Sequence, residues 1–226
     1  GTDGESAIDV IRKSVLHDNT NPWLFYLIGR TMEFKEKNRL EEAESAYKRQ
    51  IAVNPQHGRA RFDLARVFFK RDNHDAAISM WRELMEARPD FREDCPLPLL
   101  DAYQKTRNTA GAQTLITELL RSTDDETRKI LEDIRLVANP DESNAYAATP
   151  EEGRDAFVRA FWQKRDPTPA TPGNERLVEH YRRVLYAMRN FSQGQKPWDR
   201  RGQIYIRYGE PGSCWRSIKG AARRRV

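Results

Sequence analysis

Cysteine is almost absent from these 226 residues: Cys95 and Cys214 are the only two, and they stand 119 positions apart. No Cys-x-x-Cys pair and no histidine at ligand spacing accompanies them. A disulfide framework is therefore excluded, a zinc site has no ligand set, and free thiols are the expectation. Long apolar runs are missing too. The longest, Trp23-Leu24-Phe25-Tyr26-Leu27-Ile28, is six residues against the roughly 20 that a bilayer requires, so no transmembrane span is expected. The opening Gly1-Thr2-Asp3-Gly4-Glu5 shows no basic-then-apolar leader, and no export signal is legible in it. Nor is there a Gly-x-Ser-x-Gly elbow, a His-Glu-x-x-His pair, a phosphate-cradling glycine loop or a dinucleotide fingerprint. No catalytic residue, metal or cofactor is expected on these grounds. His17, His57 and His74 fall in turns and are expected at the surface.

Charge is plentiful and unevenly placed. Lys and Arg number 39 against 34 Asp and Glu, a formal +5. Between Arg200 and Val226 eight basic residues face Glu210 alone, so that segment carries +7 and everything before it −2. The terminal Arg223-Arg224-Arg225 suits a polyanion, but so short a run reads first as a solvated chain end. Nucleic acid is not the expected partner. At about 150 residues per domain the length allows one elongated domain or two small ones.

What is present is a repeat. Glu41–Gln50 laid over Asp75–Leu84 puts Ala77 under Ala43, Trp81 under Tyr47 and Pro89 under Pro55, a shift of 34. The small-x-x-x-bulky pair recurs at Ala7/Ile11 and Ala112/Ile116, so the alanines are spaced 36, 34 and 35. One helix-turn-helix unit takes about that many residues. The small residue lets two helices approach, and the bulky one at i+4 fills the groove between them. Asn54-Pro55 and Arg88-Pro89 end the second helices, and Arg71–Asp75 is the turn inside the middle unit. Leu64, Ala65, Phe68, Ala77, Trp81 and Pro89 complete a pattern that closely resembles the tetratricopeptide repeat. The flanking units are degenerate copies: one keeps Ile28-Gly29, Ala43, Tyr47 and Pro55 with about two extra residues near Glu33 to Asn38, the other keeps Leu99, Tyr103, Ala112, Ile116 and Leu119. Residues 1–19 read as the second helix of a further unit, so the array is expected to continue upstream of Gly1.

The resemblance implies a repeat array over residues 1–121 whose first helices line a concave groove for a segment of another protein. In the middle unit the groove face would show Arg59, Phe62, Asp63, Arg66, Phe69 and Lys70, cations and aromatics suited to an acidic or amphipathic peptide. Phe62 and Phe69 are equally compatible with simple packing on neighbouring helices. The Lys and Asn with which some members clamp a C-terminal carboxylate are not supplied.

From Ser122 onward the pair disappears and a second module, 122–226, is expected. Leu131, Ile134, Leu136 and Val137 continue a helix to about Ala138, which Asn139-Pro140-Asp141 breaks, and a loop follows. Thr149-Pro150-Glu151-Glu152 reads as a capping box opening the next helix. Prolines at 167 and 169 stop it, and Leu177, Tyr181, Val184, Leu185, Met188 and Phe191 mark another. Gln203–Tyr208 then alternates with period two, predicting a strand with Ile204, Ile206 and Tyr208 on one face and a second strand at Ser213–Ile218. The fold class expected is mainly α: a helical repeat array followed by a small α+β module.

Phe161-Trp162, Arg165–Pro169, Thr171-Pro172, Asn174-Glu175, Glu179–Val184, Tyr186-Ala187, Arg201–Gly209 and Pro211 resemble the bacterial GWxTD domain, over roughly Asp133 to Pro211. The motif residues, of unknown role, are Trp162, Arg165, Asp166, Asn174, Glu175, Glu179, Tyr181, Arg182, Arg183, Arg207 and Tyr208. The sequence departs at the eponymous motif, where Trp198 precedes Gly202 by four positions, one fewer than in the family, and Thr is lacking. That resemblance implies no known activity and suggests the cell envelope or periplasm. The one acid/base cluster, Asp166, Glu175, Glu179 and His180, would serve a hydrolase-like site; the arginines at 165, 182 and 183 favour a structural network instead.

Overall fold

The structure, a computed structural model, describes residues 23–35 and 39–210. These fall into two compact units, one ending at Asn108 and the other beginning at Thr109. The helix that carries the Ala112/Ile116 pair is thereby grouped with the C-terminal helices.

In the first unit α1 (Leu24–Lys35) pairs with α2 (Leu40–Val53), and α3 (Gly58–Lys70) with α4 (His74–Ala87). A 3₁₀ turn at Pro89–Phe91 leads to α5 (Pro96–Lys105). Each helix packs on the next in the chain, the nearest-neighbour pattern of a repeat. The small/bulky pairs lie at the contacts: Ala43 and Tyr47 are fully buried, as are Ala77 and Trp81. Ala7/Ile11 lies outside the described residues. A Cβ on Gly29 would stand 2.5 Å from the Tyr47 ring, so α1 and α2 approach through the absence of a side chain. Trp81 donates Nε1–H to the Phe62 carbonyl at 3.2 Å, satisfying its one polar atom inside the core. Buried Gln50 accepts the Tyr26 N–H at 2.9 Å, capping an orphan donor in the first turn of α1.

The turns repeat as closely as the helices. Asp72 (φ 59°) and Arg107 (φ 56°) are both left-handed. The amide after each bonds back five residues, Asn73 to Phe68 O and Asn108 to Tyr103 O, both at 2.9 Å. Asn54 and Arg88 both leave the helical region before their prolines, at φ −134° and −135°, as the clash with a following pyrrolidine ring demands. His57 departs from its expected exposure. It is buried and caps α3, its Nδ1 accepting the Ala60 N–H at 3.1 Å.

The second unit contains α6 (Thr109–Ser122), α7 (Asp125–Leu131), α8 (Pro140–Ala148), α9 (Glu151–Gln163), α10 (Glu175–Phe191) and α11 (Arg200–Tyr208). Helix α10 packs on α11, α6 and α7, while Ile134, Val158, Phe161 and Trp162 form a buried cluster that Leu177 of α10 touches. Three expectations are corrected here. Asn139-Pro140 starts a helix instead of ending one: Asn139 accepts the Glu142 N–H at 2.9 Å, Glu142 accepts the Asn139 N–H at 3.0 Å, and Pro140 occupies the first turn, where no N–H is needed. The Thr149 box does not form. Thr149 Oγ1 donates to Ala145 O at 2.7 Å, closing α8, and α9 starts at Pro150 without a side-chain cap.

The strand over 203–208 is a helix, and no strand occurs among the described residues. Asp199 accepts the N–H groups of Arg201 and Gly202, at 2.8 and 3.2 Å, and so nucleates α11. The buried positions are Gly202, Tyr205 and Ile206, spaced i, i+3, i+4, while Ile204 and Tyr208 are exposed. Tyr205 stacks on Tyr186 with centroids 4.5 Å apart. A six-residue stretch with four β-branched or aromatic residues satisfies either period, and packing on α10 decides between them. The second strand, Ser213–Ile218, lies outside the described residues.

Candidate functional site

The expected groove residues divide. Phe62 is buried, stacked on Phe91 at 6.1 Å and tilted against Trp81 at 6.1 Å. It is core. Asp63 is buried as well, with Oδ1 2.8 Å from Arg66 Nη1 and 3.7 Å from Arg59 Nε; burial outweighs the arginines and raises its carboxyl above the usual range. Phe69 is half-buried between His74 and Trp81, centroids 5.1 and 6.1 Å away. Arg59 and Arg66 are half-buried and Lys70 is exposed.

Two residues absent from the sequence expectation organise this face. Glu33, at the end of α1, is buried. Its carboxylate accepts from Arg66 Nε and Nη2, both at 2.7 Å, from Lys70 Nζ at 2.7 Å and from Tyr47 Oη at 2.9 Å. Burial alone would raise this carboxyl, but the bonds from Arg66 and Lys70 outweigh it and hold it below the usual range. Beside it Phe34 is 57% exposed. Arg30, Arg66 and Lys70 stand over its ring at 5.0, 5.0 and 5.1 Å, within the reach of cation–π attraction. The one available signal was the pairing of an acid with an aromatic at positions 33 and 34, in the stretch where the first repeat carries its extra residues.

The motif residues of the second unit also divide. Asn174 caps α10 by accepting the Leu177 N–H at 3.0 Å, donates Nδ2–H to Trp162 O at 2.7 Å, and donates its backbone N–H to Gln113 Oε1 at 3.0 Å. Arg165 pairs with Glu142 through Nη2 at 2.6 and 2.7 Å and lies 3.6 Å over the Phe161 ring. Arg182 and Arg183 both hold Glu179, at 2.9 and 2.6 Å, and Arg207 Nε donates to Leu136 O at 2.8 Å. Tyr181 is buried, whereas Tyr208 is exposed.

The four members of the acid/base cluster divide between two settings: Asp166 and Glu175 meet at Thr168, while Glu179 and His180 line one cavity. Asp166 accepts the Thr168 N–H at 2.9 Å. Glu175 accepts the Thr168 hydroxyl at 2.7 Å, which holds it below the usual carboxylate range. Burial would raise Glu179, but Arg182 and Arg183 keep it low. Burial, aided by the charge of Arg183, pushes the His180 imidazole down to about 4, so it is neutral near pH 7. Asp166 and Glu175 thus share Thr168, Glu179 is held by two arginines, and the lowered Glu175 and Glu179 are ionised near pH 7.

Among the described residues no helix is long and apolar enough to cross a membrane, and no group of three or more His, Cys, Asp or Glu side chains is arranged for a metal ion. The sequence profile of the tetratricopeptide repeat matches residues 35–94, from the end of α1 to just past the 3₁₀ turn. No curated protein matches the chain. Residues 35–94 therefore contain a tetratricopeptide repeat, a kind of unit that commonly serves as a protein–protein interaction module.

Proposed function

We propose that the first unit binds a segment of another protein along the face formed by α1 and α3. Supporting this reading is Phe34, an exposed aromatic ring with three cationic side chains about 5 Å from its centre. Arginine and lysine there are already ordered by Glu33, so their rotamer entropy is partly spent before a partner arrives. A partner offering carboxylates beside an apolar side chain would meet both chemistries at once. Of the residues expected from sequence, Arg59, Arg66 and Lys70 serve this face, Phe69 lies at its edge, and Phe62 and Asp63 support it from beneath.

The test is capture by cross-linking and mass spectrometry with the full chain against a Phe34→Ala, Arg30→Ala variant. Both side chains are exposed, so the fold survives their removal. Partners lost by the variant support the reading; a partner list unchanged by it refutes it. For the second unit we infer a GWxTD-like module on the quoted motifs, several of which (Trp162, Arg165, Glu179, Arg183 and Arg207) line one cavity. No activity is assigned through that likeness.

A further inference from the structure

Four arginines of the second unit, Arg165, Arg176, Arg183 and Arg207, line a cavity of about 470 Å³ together with Trp162 and His180. Their charges are unequally matched. Arg165 is neutralised by Glu142, both carboxylate oxygens lying within 2.7 Å of its Nη2. Arg183 is committed to Glu179 at 2.6 Å. Arg207 uses Nε on the Leu136 carbonyl, which among the described residues leaves its two terminal nitrogens and its full charge. Arg176 is exposed and has no acidic partner among the described residues. Two positive charges are thus left over, on two guanidinium forks. A phosphate monoester near neutral pH carries about −1.5 to −2 and three acceptor oxygens, and guanidinium forks bind such oxygens in bidentate fashion.

A second observation lies in the same wall. His180 is 4% exposed, and neither of its ring nitrogens meets a partner among the described residues, although buried polar atoms are ordinarily paired. The neutral ring offers one donor and one acceptor, and it is held 4.8 Å from the Trp162 indole. Val137 and Ile206 complete an apolar side to the cavity. A lining that combines unmatched positive charge, apolar side chains and one unspent buried polar group is the composition of a small-molecule site.

We propose that this cavity binds a small phosphorylated organic molecule, its phosphoryl group held by Arg176 and Arg207 and its organic part lying against Trp162, Val137 and Ile206. The site belongs wholly to the second unit and does not rest on the partner-binding reading of the repeat.

Calorimetric titration of the full chain with phenyl phosphate tests it. One saturable site is expected, displaced by inorganic phosphate and weakened at least about tenfold in an Arg176→Ala, Arg207→Ala variant. Both arginines are exposed, and an unchanged far-ultraviolet circular dichroism spectrum confirms that the fold is kept. A variant with Arg223, Arg224 and Arg225 replaced by Ala binds as the parent does. Absence of saturable heat at millimolar phenyl phosphate overturns the proposal. So does a loss that follows the terminal arginines instead of Arg176 and Arg207, or binding of benzoate as tight as that of phenyl phosphate.

Discussion

Replacing Glu33 by Gln keeps the shape of the side chain and removes the charge on which Arg66, Lys70 and Tyr47 converge. Removing one partner of a fully buried ion pair costs about 3–5 kcal/mol. Here the Glu33 side chain is fully buried, but those of Arg66 and Lys70 are 23% and 37% exposed. Arg66 also keeps Asp63 at 2.8 Å, and Lys70 can turn to water. The loss should therefore be smaller, about 2 kcal/mol, or roughly a thirtyfold fall in protection against hydrogen exchange. Exchange read by mass spectrometry at pH 7 is the suitable assay, because peptides from α1 to α3 report on the first unit while those from α10 serve as an internal control. The pH dependence has a definite sign. The folded Glu33 carboxyl lies below its ordinary 4.5, so its contribution is fully present above that value and is lost as pH falls through the folded value. The gap between parent and variant should close with acid. Equal protection at pH 7, a fall shared by α10, or a gap that persists below both titrations would refute the reasoning.

Three further perturbations probe the frame. Gly29→Ala sets a methyl group 2.5 Å from the buried Tyr47 ring and should cost about 1–3 kcal/mol by overpacking, seen as lower protection in α1 and α2. Protection equal to the parent's would show that the two helices can part. Asp199→Ala removes the cap of α11 and should cost about 0.5–2 kcal/mol, confined to exchange in residues 200–208; an unaffected segment would argue against a helix there. Arg107→Gly relieves a left-handed backbone at φ 56° and should leave the first unit as stable or up to about 1 kcal/mol more so, whereas clear destabilisation in urea unfolding would show that the arginine side chain contributes.

The parts of the fold legible in the sequence are those where one contact fixes one spacing. Ala43/Tyr47 and Ala77/Trp81 could be paired from the sequence because a helix brings residues i and i+4 onto one face. The prolines at 55 and 89 were legible for the same local reason. The signals misread were ambiguous in one dimension. Asn139-Pro140 both ends and begins helices, and only Glu142, three residues on, distinguishes the two. Gln203–Tyr208 satisfies a strand by alternation and a helix by Gly202, Tyr205 and Ile206, and contact with Tyr186 settles it. On the proposed binding face, sequence supplied Arg59, Arg66 and Lys70 but not the rotation of α3, which buries Phe62 and Asp63. Glu33 and Phe34 lay hidden where the first repeat is out of register with the pattern.

Asn174 has an effect on the chain that its place as a helix cap does not suggest. Residues 167–172, which separate α9 from α10, are exposed throughout and rich in proline, an open target for a protease. Yet the same side-chain amide grips the Trp162 carbonyl on one side of that segment and the Leu177 amide on the other, while Leu177 packs against the Phe161 and Trp162 cluster. A molecule nicked between Thr168 and Thr171 would therefore migrate as two pieces in denaturing gels and as one body in native solution.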